Sequence, residues 1–167
     1  MFAMALDEEA LELAYRLHYP AIVRFLIGFG GGAVDVEDLA QEAFLRLGRG
    51  SDVPSERVRF WLIRVARNLA LNELRRRRPV ASLDAIAAAR DPSRDPEAAL
   101  LRRDELRSCV DALRDLPEQW RSIVLLRELE EMSYAEIAAL LDISIAKVKS
   151  DLFRARMRLR ELLGRTR

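Results

Sequence analysis

The sequence predicts an all-α chain made of two small helical domains joined by a flexible linker, the C-terminal domain carrying a helix-turn-helix. Three observations support this. Apolar residues recur at steps of three and four through most of the 167 residues, the period of helices that bury one face. The composition, 50% hydrophobic and 33% charged with only seven glycines, is rich in the helix formers Ala, Leu, Arg and Glu and poor in strand-forming runs. Residues 79–94 open on a proline, continue through an alanine-rich middle and run into DPSRDP, a linker pattern that separates residues 1–78 from residues 95–167. Each part is long enough for a modest core of its own.

The first helix spans residues 6–28, with Leu6, Ala10, Leu13, Leu17, Ile22, Phe25 and Leu26 as its apolar side and Pro20 expected to kink it. His18 is the single histidine, so it cannot assemble a metal site or a catalytic triad and reads as a packing or surface residue. The run GFGGG at 28–32 reads as a flexible turn; no strand precedes it and no Lys-Ser/Thr pair follows, so it is no phosphate loop. A second helix over 34–47 turns Val36, Leu39, Ala40, Ala43, Phe44 and Leu47 inward and presents Asp35, Glu37, Asp38, Gln41 and Glu42 outward. Acids in a first turn suit the helix dipole, which accounts for Asp35 and Glu37 but less well for Gln41 and Glu42. After a Gly, Ser, Asp and Pro loop at 48–55, a long helix covers 56–78. Its apolar side is Val58, Trp61, Leu62, Val65 and Leu69; its polar side runs Arg64, Asn68, Asn72, Arg75 at near four-residue steps into a basic end at 75–78. Arginine and asparagine contact phosphates and base edges, while Phe60 and Trp61 either stack on bases or fill the core.

Beyond the linker, Pro96 and Glu97 open a helix that continues through Leu106, Val110 and Leu113, and a further helix from 116 to 129 packs Ile123, Val124 and Leu126. Cys109, the only cysteine, excludes an internal disulfide and reads as a small core residue in a reducing, cytoplasmic compartment. Ser133 followed three residues later by Glu136 is a capping box at the start of a short helix with Ile137, Ala138 and Leu141 apolar. Asp142 tolerates a left-handed backbone, and Ser144 caps the helix that follows. In that last helix Ile145, Val148, Leu152, Ala155, Leu159 and Leu162 form the buried stripe, leaving Lys147, Lys149, Ser150, Phe153 and Arg154 free. Two helices joined by a tight turn, the second basic, match the helix-turn-helix whose second helix enters the major groove; the plain alternative is a helical hairpin.

Net charge is only +1, but the charges are segregated. Residues 57–78 hold eight Arg against one Glu, residues 142–167 hold eight Lys/Arg against three acids, and residues 35–42 hold four acids and no base. Solvated helix faces usually mix the signs; this distribution suggests two surfaces for phosphate and one acidic docking face. The N-terminal residues are acidic where a signal peptide is basic, and no stretch approaches the roughly 18 apolar residues of a membrane span, so no membrane insertion is expected. No paired carboxylates, metal-ligand cluster or nucleophile-base set occurs, so no catalytic or metal residue and no cofactor is expected.

The order of parts resembles the extracytoplasmic-function (ECF) class of bacterial sigma factors, the promoter-reading subunits of RNA polymerase. The resemblance rests on AYRLHYPAIVRF, DVEDLAQEAFLRL, FWLIRVARNLALNELRRRR and the long C-terminal stretch from LRDLPEQW to LRELL, which together cover nearly all of the chain outside the linker. It implies sigma region 2 over 1–78, for polymerase docking and downstream-element recognition and melting, and sigma region 4 over 95–167, for upstream-element recognition. By the resemblance, Asp38, Gln41 and Glu42 dock on the coiled coil of the polymerase's largest subunit, with the flap a further contact of the core enzyme. Arg64, Asn68, Asn72, Arg75 and Arg76 meet the downstream promoter element, and the 48–55 loop cradles a flipped base. Ser133 and Tyr134, with Lys147, Lys149, Ser150, Phe153 and Arg154, meet the upstream element. An anti-sigma factor is the remaining implied partner.

Several positions depart from the family pattern. Asp151 stands where many relatives have a basic residue and is expected to make the recognition face less positive. Ala146 and Lys147 replace a common Gly-Thr, the 48–55 loop has no aromatic residue, and the second helix lacks a tryptophan near its end. Two rival readings are a two-domain regulator with a sensing N-terminal half and a structural adaptor with merely solvated basic faces.

Overall fold

The computed structural model describes residues 7–50, 53–76 and 96–164, the side chains of residues 96–101 excepted. The expectations at Leu6, at positions 51–52 of the loop, at Arg77 and Arg78 and along the 79–94 linker lie outside them. Every regular element among the described residues is helical, as the sequence predicts: α1 (Glu8–Gly30), α2 (Val36–Gly48), α3 (Val58–Arg76), α4 (Pro96–Arg114), α5 (Glu118–Val124), α6 (Tyr134–Leu141) and α7 (Ile145–Gly164). The last turn of α5 widens into a π-helical stretch, Leu125–Leu129.

α1 starts at Asp7, whose carboxylate accepts the Ala10 N–H at 2.7 Å, and runs without interruption past the exposed Pro20. Its inward stripe is Ala14, Ala21, Ile22, Phe25, Leu26 and Phe29; Phe25 and Phe29 stack with ring centroids 5.7 Å apart. Two expected core residues do not join it: Leu13 and Leu17 are 57% and 63% exposed, because the face that reaches α2 and α3 runs through Ala14, Ala21 and Phe25 instead. The glycine run is also not a flexible turn. Gly28 and Gly30 are buried residues of α1; Gly31, at φ +55°, and Gly32 lie beyond it in a single 3-10 turn, Gly31–Ala33. A Cβ on Gly28 would stand 2.6 Å from Leu125 Cδ2, so the missing side chain is what admits the π-helical stretch against α1.

α2 is capped by Asp35, which accepts the Asp38 N–H at 3.1 Å, and buries Val36, Ala40, Ala43, Phe44 and Leu47. Small residues at 40 and 43 let it lie close to α1 and α3. α3 buries Val58, Leu62, Ile63, Ala66, Ala70 and Leu71, with Phe60 and Trp61 half-buried against the same core, so Trp61 is a packing residue here.

In the C-terminal half, α7 packs on α4, α5 and α6. α4 and the π-helical stretch also contact α1, so the core runs continuously from Phe29 and Leu26 to Ile123, Leu125 and Leu126. Arg121 makes that junction. Its buried guanidinium donates to the carbonyls of Leu113, Arg114 and Leu116 at the end of α4 and, at 2.6 Å, to Phe29 at the end of α1, over whose ring it also lies. One side chain thereby serves four carbonyls at and just beyond two helix ends, among them that of Leu113, which also accepts the Leu116 N–H. Arg59 adds a second tie, donating to both the carboxylate and the carbonyl of buried Glu130 at 2.8 Å, and Arg67 a third, donating to Ser122 Oγ at 2.8 Å. Cys109, expected in the core, is exposed on α4; Val110 and Ala112 take the buried positions there.

Candidate nucleic-acid interface

The helix-turn-helix forms as its residues dictate. Ser133 Oγ accepts the Glu136 N–H at 3.2 Å while the Glu136 carboxylate accepts the Ser133 N–H at 2.7 Å, a complete capping box. The Ser133 hydroxyl also donates to that carboxylate at 2.6 Å, and this bond first, then the one from the Ser133 N–H, holds the Glu136 carboxyl below its ordinary pKa. Asp142 sits in the left-handed region at φ 55°, ψ 50°, and closes α6, its N–H donating to Ala138 O. Ser144 Oγ then accepts the Lys147 N–H at 3.1 Å and starts α7.

α7 buries Val148, Leu152 and Ala155, and its opposite side exposes Lys149, Ser150, Phe153 and Arg154 together. Phe153 is 68% exposed, the largest such value among the exposed large hydrophobics of the described residues, and none of those residues covers it. Ile145, expected in the stripe, lies exposed at the helix start, and Leu159 and Leu162 are half-buried. Ser133 and Tyr134 stand at the N-terminus of α6. The half-buried Tyr134 ring lies between two cations, the Arg127 guanidinium at 4.9 Å and the Lys149 ammonium at 5.7 Å from its centroid. Arg127, which sequence reasoning passed over, also donates to Met132 O at 2.8 Å and so holds the turn before α6.

One expectation is overturned. Asp151 is not on the recognition face: it is 1% exposed, in the seam between α7 and α5. Its Oδ2 accepts from Gln119 Nε2 at 2.5 Å and from Lys147 Nζ at 2.9 Å. The spacing carried this signal, since positions 148, 151, 152 and 155 share one helix face. Lys147 is accordingly engaged with Asp151 and stands apart from Lys149, Ser150, Phe153 and Arg154.

A second polar face lies on α3. Arg64, Asn68, Asn72, Arg75 and Arg76 are all exposed, on the side away from Leu62, Ala66 and Ala70. Arg75 makes a long contact, 3.3 Å, to Glu118 of α5. On α2 the third set is also together: Asp38 and Gln41 are exposed, and Glu42 is half-buried with Arg46 Nε donating to it at 2.7 Å. That bond holds the Glu42 carboxyl below its usual pKa. Beside it Leu45 is 53% exposed. Among the described residues no group of three or more His, Cys, Asp or Glu could hold a metal ion, and no helix is long and apolar enough to cross a membrane.

Known proteins share this arrangement. The model of sigma-70 region 2 matches residues 14–80, and that of sigma-70 region 4 matches residues 106–159. The ECF RNA polymerase sigma-E factor of Escherichia coli strain K12 is 40% identical over 163 residues, covering 90% of this chain and 84% of the relative. The RNA polymerase sigma-H factor of Pseudomonas aeruginosa is 34% identical over the same length, with the same coverage. Among solved structures, CnrH in complex with the cytosolic domain of CnrY superposes with a TM-score of 0.72 at 27% identity, over 95% of this chain and 90% of that one. The sigma factor RpoE of Bartonella quintana, solved with the anti-sigma factor NepR, shares the fold at a TM-score of 0.70 and 24% identity, over 93% of this chain and 98% of that one. With both regions matched in order and a relative at this identity along most of its length, the chain belongs to the ECF class of sigma-70 factors, non-catalytic subunits for promoter-specific transcription initiation.

Proposed function

We propose that this sigma factor reads an upstream promoter element with α7 and the start of α6 and opens a downstream element with α3. Residues 1–78 then act as region 2 and residues 95–167 as region 4. The observation that carries the reading is the outer side of α7, where two cations, a hydroxyl and an uncovered phenyl ring share one face of a helix that follows a capped tight turn. A face of that width and chemistry fits a major groove, with Lys149 and Arg154 for phosphates or guanine edges and Phe153 for thymine methyls. Ser133 and Tyr134 bring a helix N-terminus to the adjoining phosphate.

On α3 the exposed Arg64, Asn68, Asn72, Arg75 and Arg76 supply donors for unpaired bases and backbone. Strand opening is then a matter of capture, each unstacked base costing a few kcal/mol that phosphate contacts and hydrogen bonds offset. Asp38, Gln41 and Glu42 dock on the coiled coil of the polymerase's largest subunit, with the exposed Leu45 beside them adding an apolar contact, and region 4 meets the flap. An anti-sigma factor is the further partner; that CnrH was solved in complex with the cytosolic domain of CnrY, and RpoE with the anti-sigma factor NepR, supports a bound protein partner.

The test is reconstitution with core RNA polymerase on a library of genomic promoters. Specific transcripts are expected; no complex and no transcript would sink the proposal. Within the active complex, Asn68→Ala should lower promoter opening, read by permanganate reactivity of unpaired thymines, with polymerase affinity unchanged. Loss of both together would show that α3 serves docking instead.

A further inference from the structure

α7 buries one acid. Asp151 lies on the same helix face as Val148, Leu152 and Ala155, with its side chain 2% exposed. A carboxylate in such a place needs a cation and hydrogen-bond donors. Gln119 of α5 and Lys147, one turn earlier on α7, provide both at the same oxygen. Burial by itself pushes the Asp151 carboxyl up, but the bonds from Lys147 and Gln119 outweigh it and keep the group below its ordinary pKa, so it is ionised at neutral pH.

The consequence falls on Lys147. Its side chain is half exposed, at the N-terminal end of the recognition helix where a lysine would meet DNA phosphate. Lys preceding Asp by four residues is the less favourable order for a helical ion pair, so local helix electrostatics do not recommend the contact. The burial of Asp151 does: were the ammonium to leave for a phosphate, it would strand a negative charge in the α5–α7 seam. Lys149, two residues on, has no such obligation and lies over the Tyr134 ring at the edge of the reading face.

We infer that Asp151 is a positioning residue for upstream-element recognition, which holds the Lys147 charge in the α5–α7 seam and so lowers sequence-independent attraction to DNA while leaving base reading to Lys149, Ser150, Phe153 and Arg154. This rests on the reading of α7 as the DNA-facing helix. Phosphate contacts raise affinity for every sequence alike, whereas base contacts raise it for one. Withholding one cation therefore lowers binding to right and wrong sites alike and leaves the discrimination between them to the base contacts. A clamp that only fastened α7 to α5 would leave the salt dependence of binding untouched, and that difference makes the inference testable.

The experiment uses the full chain with core polymerase, titrated onto a promoter duplex and onto an unrelated duplex across a salt series. Asp151→Asn keeps the shape and a carbonyl acceptor for Gln119 but removes the charge. With Lys147 released, the slope of log affinity against log salt should steepen by about one on both duplexes, equivalent to roughly 3–4-fold more loss between 50 and 200 mM salt. Preference for the promoter over the unrelated duplex should stay the same, since the added contact serves both alike. Adding Lys147→Gln to Asp151→Asn should return the slope to that of the wild type. Lys147→Gln by itself should leave the slope where it was, and it decides the matter if Asp151→Asn fails to fold. An unchanged slope in Asp151→Asn overturns the inference. So does a steeper slope that survives in the double variant, or a slope that falls by about one in Lys147→Gln. Should the wild-type complex show no promoter preference at all, the assignment of α7 as reader fails first, and the two failures are distinguishable.

Discussion

Single side chains set the local geometry of the reading domain. Ser133 and Glu136 satisfy each other's backbone donors, and Ser133→Ala should cost about 1 kcal/mol, seen as a lower melting temperature with the helix content of the folded state unchanged. The same pair makes a pH prediction. The folded pKa of Glu136 lies below the ordinary glutamate value of 4.5, so its stabilisation is present above that value and is lost as pH falls through the folded pKa. The difference in melting temperature between wild type and Glu136→Gln should therefore shrink on acidification from neutral toward pH 3; a constant difference would show that the carboxylate charge is not what the cap uses. Ser133, Glu136 and the left-handed Asp142 were readable from sequence because each acts on backbone within a few residues of itself. Asp151 was misread although the spacing of 148, 151, 152 and 155 places it on the buried face; only its partner Gln119, 32 residues away, lay beyond any local pattern.

Helices were legible to the extent that their burial is one-sided. α2, α3 and α7 appeared with nearly the right ends, since each buries one apolar stripe and leaves a polar side exposed. α1 was harder. It is contacted by α2, α3 and α4 from different sides, which shifts the stripe to Ala14, Ala21 and Phe25 and leaves Leu13 and Leu17 outside. The glycines at its end look like a loop in one dimension, yet two of them are buried helix. Gly31 alone needs the freedom of glycine, at φ +55° with Arg114 Cδ 2.9 Å and Val110 Cγ1 3.1 Å from where a Cβ would stand. Gly31→Ala should cost about 1–3 kcal/mol from backbone strain and the push on α4 together. Chemical denaturation would measure it, and a loss below about 0.5 kcal/mol would show that α4 yields freely.

Across the whole molecule, four arginines tie the halves together, Arg75 only through its long contact to Glu118. Arg121 spends its donors on four carbonyls from α1 and α4, Arg67 bonds Ser122, and Arg59 answers a Glu130 whose other oxygen has no partner. Methionine at position 121 would fill the space without the donors. Arg121→Met should lower stability by about 3 kcal/mol, since several buried carbonyls lose their bonds at once. It should also enlarge the radius of gyration in X-ray scattering as the halves separate. Lost stability at constant radius would show that the remaining seam, with Arg59 and Arg67, is sufficient to hold them.

The sequence by itself determined the helices, the two-part order, the capped turn and the three exposed sets on α2, α3 and α7, because each follows from periodicity, capping chemistry or charge within one element. The family followed from the same residues. Tertiary structure alone decided that the halves share one core, that the GFGGG run is a packing surface, and that buried Asp151 is held by Gln119 and Lys147. Those outcomes depend on which helices meet across long stretches of chain, and a charge changes its meaning entirely when a neighbouring helix removes it from water.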